Sequence, residues 1–340
     1  MPVKTLIAAA CLFLCVGATA AFAFDTPSAK ALDAFEQAHT MGRGMNVLGY
    51  DLVWTDPAKA RFKALHFKAI KDGGFQTVRL NLQAFAHMDA ANRLDPAWVA
   101  TLDRLVGVAL GQGLTVILDE HDFNACGQDL ATCEPRLTAF WRQIAAHYAN
   151  APGKLVFEIL NEPNGQLDDE AWNRLLAIEL AEIRSTNRTR TVIVGPASWN
   201  SPQHLEALRL PPDDHHLIVT VHYYAPMEFT HQGAPWTPQF AHLSGVTWGT
   251  QEDLQKLDQD FSRVDHWAAA HERPILLGEF GAYEKGDMGS RVRYISAVAR
   301  AAERRGWAWA YWQFDSDFIA WDMKRDAWIE PIRQALIPSR

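Results

Sequence analysis

Lys154-Leu155-Val156-Phe157-Glu158-Ile159-Leu160-Asn161-Glu162-Pro163 is a short apolar run closed by a polar turn, and Pro274-Ile275-Leu276-Leu277-Gly278-Glu279-Phe280-Gly281 is a second of the same kind. Runs of this length, rich in aliphatic and aromatic residues and bounded by Gly, Pro or Asn, predict buried strands. Six further runs share the pattern: Gly44–Val47, Thr77–Leu80, Leu114–Leu118, Thr191–Val194, Leu217–Tyr223 and Ala308–Phe314. Between them, apolar residues recur at three- and four-residue spacing over Ala60–Lys71, Pro96–Leu110, Arg136–Tyr148, Asp169–Ile183, Asp253–Ala270 and Ser290–Arg304, which predicts amphipathic helices. Asp95-Pro96 reads as a helix cap followed by proline at the first helical position, and Gly73-Gly74 as a helix stop. Strand and helix alternating eight times implies parallel pairing, right-handed crossovers and closure as a single (β/α)8 TIM barrel of the α/β class.

Residues 1–23 carry Lys4, an apolar run from Leu6 to Val16 and then Ala21-Phe22-Ala23. That is the order of charged, hydrophobic and small-residue regions in a secretory signal. The mature chain is expected to begin near Phe24 and to form one catalytic domain over residues 24–340, exported to the periplasm or the extracellular space. The apolar run is too short to span a bilayer and nothing later reaches the required length, so no membrane anchor is expected. No linker or low-complexity tract marks an appended module. Removing the signal deletes Cys11 and Cys15 and leaves Cys126 and Cys133, for which an oxidising compartment implies a local disulfide. A metal site there would need further Cys or His at ligand spacing, which the intervening loop lacks.

The formal charge of −8 is moderate, with both signs mixed along the chain, which argues against nucleic acid as a partner. Thirteen tryptophans are many for this length, and Trp54, Trp199, Trp236 and Trp248 fall in turn-rich segments. Aromatic faces suit the apolar C–H surface of sugar rings, although core packing is the commoner role for any one tryptophan. No cofactor and no metal is expected, and the chain is read as a monomer.

If the runs are numbered as strands, the polar residues at their C-terminal ends converge on one mouth of the barrel. Arg79 is read as ending the second strand, His121 and Asp122 follow the third, and Asn161 and Glu162 end the fourth. His222 and Tyr224 end the sixth, Glu279 the seventh, and Trp312 lies in the eighth. Cleaving an acetal between sugars needs a proton donor for the leaving oxygen and a second carboxylate to meet the charge developing at the anomeric carbon. Glu162 and Glu279 supply that pair.

This set resembles glycoside hydrolase family 5, which includes many bacterial endo-β-1,4-glucanases, from about Arg43 to Trp328. Asn161-Glu162-Pro163 is similar to that family's acid/base motif, and Gly278-Glu279-Phe280-Gly281 to its nucleophile motif. Arg79, His121, His222, Tyr224 and Trp312 match its remaining active-site positions. Phe229-Thr230-His231-Gln232-Gly233-Ala234-Pro235-Trp236 resembles a loop of some cellulase members. The resemblance implies a retaining endo-glycosidase acting on internal β-1,4 bonds of cellulose or a related β-glucan. Trp199 and Trp236 are read as exposed sugar platforms in its cleft.

The residues themselves assign compatible roles. Glu162 as acid needs a raised pKa, while Arg79 and the Tyr224 hydroxyl suit an ionised Glu279. Asn161 can offer its amide to a sugar 2-hydroxyl, His121 and His222 can bind hydroxyls or orient the glutamates, and Trp312 can floor the cleavage site. A metal-dependent hydrolase would want His-x-His after the first strand, where Arg43-Gly44-Met45-Asn46 stands instead. A phosphate-handling barrel would want a Gly-rich loop after strand seven or eight. A non-catalytic carbohydrate-binding barrel, a β-mannanase and a mixed-linkage glucanase are the remaining alternatives.

Overall fold

Eight parallel strands close into a barrel in sequence order, β1 to β8, in a computed structural model that describes residues 32–339. They are β1 Arg43–Val47, β2 Thr77–Leu82, β3 Thr115–Glu120, β4 Leu155–Glu158, β5 Val192–Val194, β6 Leu217–Tyr223, β7 Ile275–Phe280 and β8 Ala308–Tyr311. All eight expected strands are present, and the expectation for residues 1–23 lies outside the described residues. No helix among those residues is long and apolar enough to cross a membrane.

The alternation of side chains along each strand separates the barrel into two environments. Outward residues such as Val78, Leu80, Val116, Leu118, Phe157, Val219 and Leu277 join one large apolar cluster with the surrounding helices. Inward residues near the strand starts, Ile117, Val156, Ile193, Ile218, Leu276 and Ala308, form a second cluster with Ala34, Ala38 and Met41. Those three come from the helix Ala34–Met41, which plugs the lower end of the barrel and was not read in the sequence. Asp33 caps it, accepting from Glu36 N while the Glu36 side chain accepts from Asp33 N, so two otherwise unpaired N–H groups are satisfied. Two residues further along β3, β4 and β6 the inward positions are Asp119, Glu158 and Thr220, and that upper layer builds the site.

The helices start and stop where local chemistry dictates. Asp95 accepts from Ala97 N with Pro96 at the first helical position, opening Pro96–Gly111. Gly73 and Gly74, the latter at φ 98°, end Ala64–Asp72. That helix begins later than its periodicity implies, because the Asp51 carboxylate accepts from Arg61 N and Phe62 N and holds them outside the helix. The helix expected from Arg136 begins at Leu130 instead and runs through Pro135, with Asp129 as its cap. Cys126 and Cys133 are bonded, as expected, but between two helices, Phe123–Gln128 and Leu130–His147, rather than across a loop.

Two expectations need correction. Arg79 does not end its strand but lies within β2, fully buried and pointing into the barrel. Trp312, read as lying in the eighth strand, stands one residue past the end of β8. Trp54 and Trp248 are buried at 7% and 4% exposure and belong to the core, the commoner role for a tryptophan. Core packing won for those two because their loops fold back onto the helices: Trp54 packs on Trp98 and Trp248 on Tyr294.

Candidate active site

Arg79 organises the upper layer. Its Nε and Nη2 donate to the two oxygens of Glu158 at 2.7 and 2.8 Å, Nη1 to Glu279 Oε1 at 2.8 Å and to Asn46 Oδ1 at 2.9 Å, and Nη2 to Asn161 Oδ1 at 2.9 Å. Asp119 Oδ2 is a further 3.1 Å neighbour. One fully buried guanidinium thus faces Asp119, Glu158 and Glu279, a fork geometry that a lysine could not reproduce.

Glu279 is held by two other groups. Tyr224 donates its hydroxyl to Glu279 Oε2 at 2.9 Å. His222 Nδ1 is 3.6 Å from the same oxygen and 2.8 Å from Glu162 Oε1, so the imidazole stands between the two glutamates. One oxygen of each glutamate and one ring nitrogen of His222 all lie within 4.8 Å of one another. A bulge between Val221 and His222 in the β6–β7 pairing turns His222 to this position opposite Glu279.

Glu162 stands beyond β4 in a left-handed conformation, φ 40°, which costs a non-glycine residue about 1–3 kcal/mol. Local bonds maintain it. Asn164 Nδ2 donates to Glu162 O at 2.8 Å, and Gln166 N donates to Gly127 O, also at 2.8 Å. Gly165, at φ 59°, passes so close to the Gly127 carbonyl that a Cβ there would meet it at 2.4 Å. The loop carrying Glu162 is therefore seated on the disulfide-bonded helix Phe123–Gln128.

Burial pushes Glu162 up to about 8, with Arg79 pulling downward and Asp119 and Glu158 adding upward. Glu279 is raised by burial too, but His222 and Arg79 oppose that rise while Glu162 adds to it. Burial brings Asp119 up to about 7 against the pull of Arg79. It brings both His121 and His222 down to about 4, so both rings are neutral at ordinary pH. Two carboxyl groups with oxygens within 4.8 Å of each other are thereby placed in different environments, one without a direct cation and one with Arg79 and Tyr224.

The remaining residues expected at the mouth fall around this centre. His121 Nδ1 is 2.6 Å from Asp119 Oδ2, and its ring lies parallel to Trp312 with centroids 5.6 Å apart. Trp199 and Trp236 are 54% and 48% exposed. Trp199 N donates to Pro163 O at 3.1 Å, tying its loop to that of Glu162, and Trp236 leans edge-on against Tyr283. Of the loop Phe229 to Trp236, Phe229, Thr230, His231, Gln232 and Ala234 are buried, and Pro235 and Trp236 are what it presents to solvent. Asp122 faces away from the centre and accepts from Phe85 N.

Sequence reading missed Asn46, Asp119, Glu158 and Asn200, all buried about the centre, and Tyr50, which is 57% exposed and edge-on to Trp312. A signal for three of them was present. Asn46, Asp119 and Glu158 share the inward parity of β1, β3 and β4, and Asn46 pairs in register with Arg79.

A family model described as Cellulase (glycosyl hydrolase family 5) matches residues 37–317. The chain belongs to glycosyl hydrolase family 5. Its relatives include Endoglucanase H of Acetivibrio thermocellus, 33% identical over 84% of this chain. This family 5 chain spans only 31% of that relative's length. Among solved structures it is similar to Thermotoga maritima Cel5A in complex with cellobiose and to the same protein in complex with mannotriose. In each case identity is 37% and the TM-score 0.86, over 90% of this chain and 100% of the other.

Proposed function

We propose that this chain is an exported, retaining endo-β-1,4-glucanase, with Glu162 as acid/base and Glu279 as nucleophile. The observation that carries the reading is the approach of one oxygen from each glutamate to within 4.8 Å. Retaining chemistry uses carboxyl groups about 5 Å apart, whereas inversion leaves room for a water at roughly 6.5–9.5 Å. The endoglucanase relatives and the cellobiose complex of the Thermotoga protein support a β-glucan as substrate.

In the first step a Glu279 oxygen bonds to the anomeric carbon while the bond to the glycosidic oxygen breaks and that oxygen takes the Glu162 proton. In the second, water gives a proton to the Glu162 carboxylate and its oxygen displaces Glu279 from the anomeric carbon, restoring both groups. Arg79 and Tyr224 hold the attacking carboxylate. Asn161 spends its oxygen on Arg79, which leaves its amide hydrogens for a sugar hydroxyl. Trp312, parallel to His121, forms the floor.

Watching the anomeric configuration of the first-formed product by proton NMR tests the reading. Initial β product from a β-glucan supports it, and initial α product excludes it. The mannotriose complex of the Thermotoga protein favours a second reading, mannan as an additional substrate. Relative kcat/KM on cello- and mannooligosaccharides of equal length decides between the two. Export rests on the pattern of residues 1–23, and a mature N-terminus near Phe24 is its check.

A further inference from the structure

Ser198, Trp199 and Asn200 are three consecutive non-glycine residues in the left-handed region, at φ 56°, 60° and 53°. Each residue there costs about 1–3 kcal/mol, and such strain persists where the surroundings enforce it. This turn follows β5 and sends neighbouring side chains in opposite directions. Trp199 goes out to solvent, and Asn200 goes inward to complete burial. The Asn200 amide packs on the backbone of Gly195, where a Cβ would come within 2.7 Å of it.

Inside, Asn200 Nδ2 lies 3.3 Å from His222 Nε2. The opposite ring nitrogen, Nδ1, is 2.8 Å from Glu162 Oε1. Asn200 Oδ1 has no hydrogen-bond partner among the described residues, so the contact of Nδ2 with His222 is the one side-chain hydrogen bond this amide makes. A histidine's tautomer is set by the hydrogen bond its second nitrogen makes. A donor facing Nε2 requires a lone pair there, which puts the proton of the neutral ring on Nδ1. Nδ1–H then donates to Glu162 Oε1, so the acidic proton of Glu162 is confined to Oε2.

We propose that Asn200 is a positioning residue which, by donating to His222 Nε2, fixes the Nδ1–H tautomer and thereby keeps the Glu162 proton on the oxygen not bound to His222. The proposal rests on the acid/base reading of Glu162 for its catalytic consequence, but the tautomer itself is independent of that reading. The other titratable groups around the His222–Glu162 pair are Arg79 from β2, Asp119 and His121 from β3, Glu158 from β4, Tyr224 beyond β6 and Glu279 from β7. The neutral form of His222, whose pKa burial lowers to about 4, is the one in which a tautomer has meaning.

The experiment is 15N NMR of histidine-labelled full-length protein near neutral pH, with His222 assigned by its loss in His222→Gln. In the wild type the expected pattern is a protonated Nδ1 and an unprotonated Nε2. Finding the proton on Nε2 of the wild-type ring overturns the proposal. In Asn200→Asp the carboxylate accepts from Nε2, so a proton on Nε2 is expected there, and an unchanged Nδ1–H pattern would also overturn it. Kinetically, Asn200→Asp is expected to slow glucan hydrolysis roughly 10-fold more than the glycosylation step on 2,4-dinitrophenyl cellobioside, whose leaving group needs no acid. Equal losses on the two substrates would mean that Asn200 acts only on structure. If instead Glu162→Ala spared glucan hydrolysis, the acid/base reading would fail while the tautomer result stood.

Discussion

Arg79 Nη1 and Glu279 Oε1 meet at 2.8 Å inside the barrel, where neither side chain is more than 5% exposed. A carboxylate in such a place would ordinarily take up a proton. Here the same guanidinium also touches Asp119 and Glu158, so one cation is shared among three buried acids and cannot neutralise all of them. Burial lifts Asp119 to about 7 and Glu162 to about 8, and for Glu162 the charges of Asp119 and Glu158 add to that rise. One network therefore both holds the proposed nucleophile and keeps the proposed acid protonated.

Arg79→Lys should damage both stability and rate. A lysine cannot make the paired contact with Glu158 and still reach Glu279 and Asn161. Removing one partner from a buried charge network costs about 3–5 kcal/mol, so a clear fall in Tm is expected, together with a loss of at least about 100-fold in kcat. A lysine variant with wild-type Tm would show that the network does not carry this burden.

Activity should decline as pH rises through about 8, where Glu162 loses its proton. The acid limb reports the ionisation of Glu279 and lies above the usual glutamate range, because burial raises it. The apparent values belong to the coupled pair rather than to either residue. The stability linkage has the same sign. The folded-state pKa of Glu162 lies above its usual 4.5, so its contribution is complete below that value and is lost as pH rises towards about 8. A kcat/KM profile that stays flat well above pH 8 would contradict the assignment.

The barrel was legible because each strand carries an uninterrupted apolar outward face, and the glutamates were legible because Asn-Glu-Pro and Gly-Glu-Phe-Gly interrupt those runs at their ends. Arg79 was placed on the right strand and at the wrong depth. A strand scan rewards apolar character and takes the first charge as a boundary, yet here an arginine buried among three acids continues the strand. Asp119 was passed over for the same reason, whereas Glu158 was read inside its strand run and not as part of the site. Asn200 left no trace in any periodicity, because three left-handed residues in succession belong to no repeating pattern. The helix Ala34–Met41 is short, and its partners are strand residues distant in sequence.

Reducing the Cys126–Cys133 bond should lower Tm, since closing a loop of this size restricts the unfolded chain by about 2.5 kcal/mol or less. It should also reach the active site, because Asn164 and Gln166 of the Glu162 loop rest on the helix that holds Cys126. Cys126→Ser with Cys133→Ser is expected to lose kcat as well as Tm. If kcat at a temperature well below unfolding were unaffected, the contact between that helix and the Glu162 loop would be structural only.

Trp199 and Trp236 should act on binding rather than on chemistry. Each ring is about half exposed and outside the charge network. Losing one stacking surface of about 1 kcal/mol raises KM about 5-fold on a long oligosaccharide. Trp199→Ala and Trp236→Ala should therefore leave kcat nearly intact while KM rises, and the rise should shrink on substrates too short to reach the ring. An equal effect on cellobiosides and cellohexaose would place these rings away from the sugar chain.

The two glutamates should be separable by leaving group and by azide. Acid assistance matters for a poor leaving group, whereas the nucleophile is needed by every substrate. Glu162→Ala should therefore form the glycosyl-enzyme normally from an activated aryl glycoside and then stall, and Glu279→Ala should turn over neither substrate. Azide in Glu162→Ala attacks the glycosyl-enzyme from the face that water would use, so a β-glycosyl azide is expected. In Glu279→Ala it fills the space beside Arg79 and Tyr224 and attacks the substrate directly, giving the α-glycosyl azide. NMR of the isolated azides distinguishes the two, and exchanged products would mean that Glu279 is the acid and Glu162 the nucleophile. That outcome would also require Arg79 and Tyr224 to hold a protonated group, against the direction in which both act on Glu279.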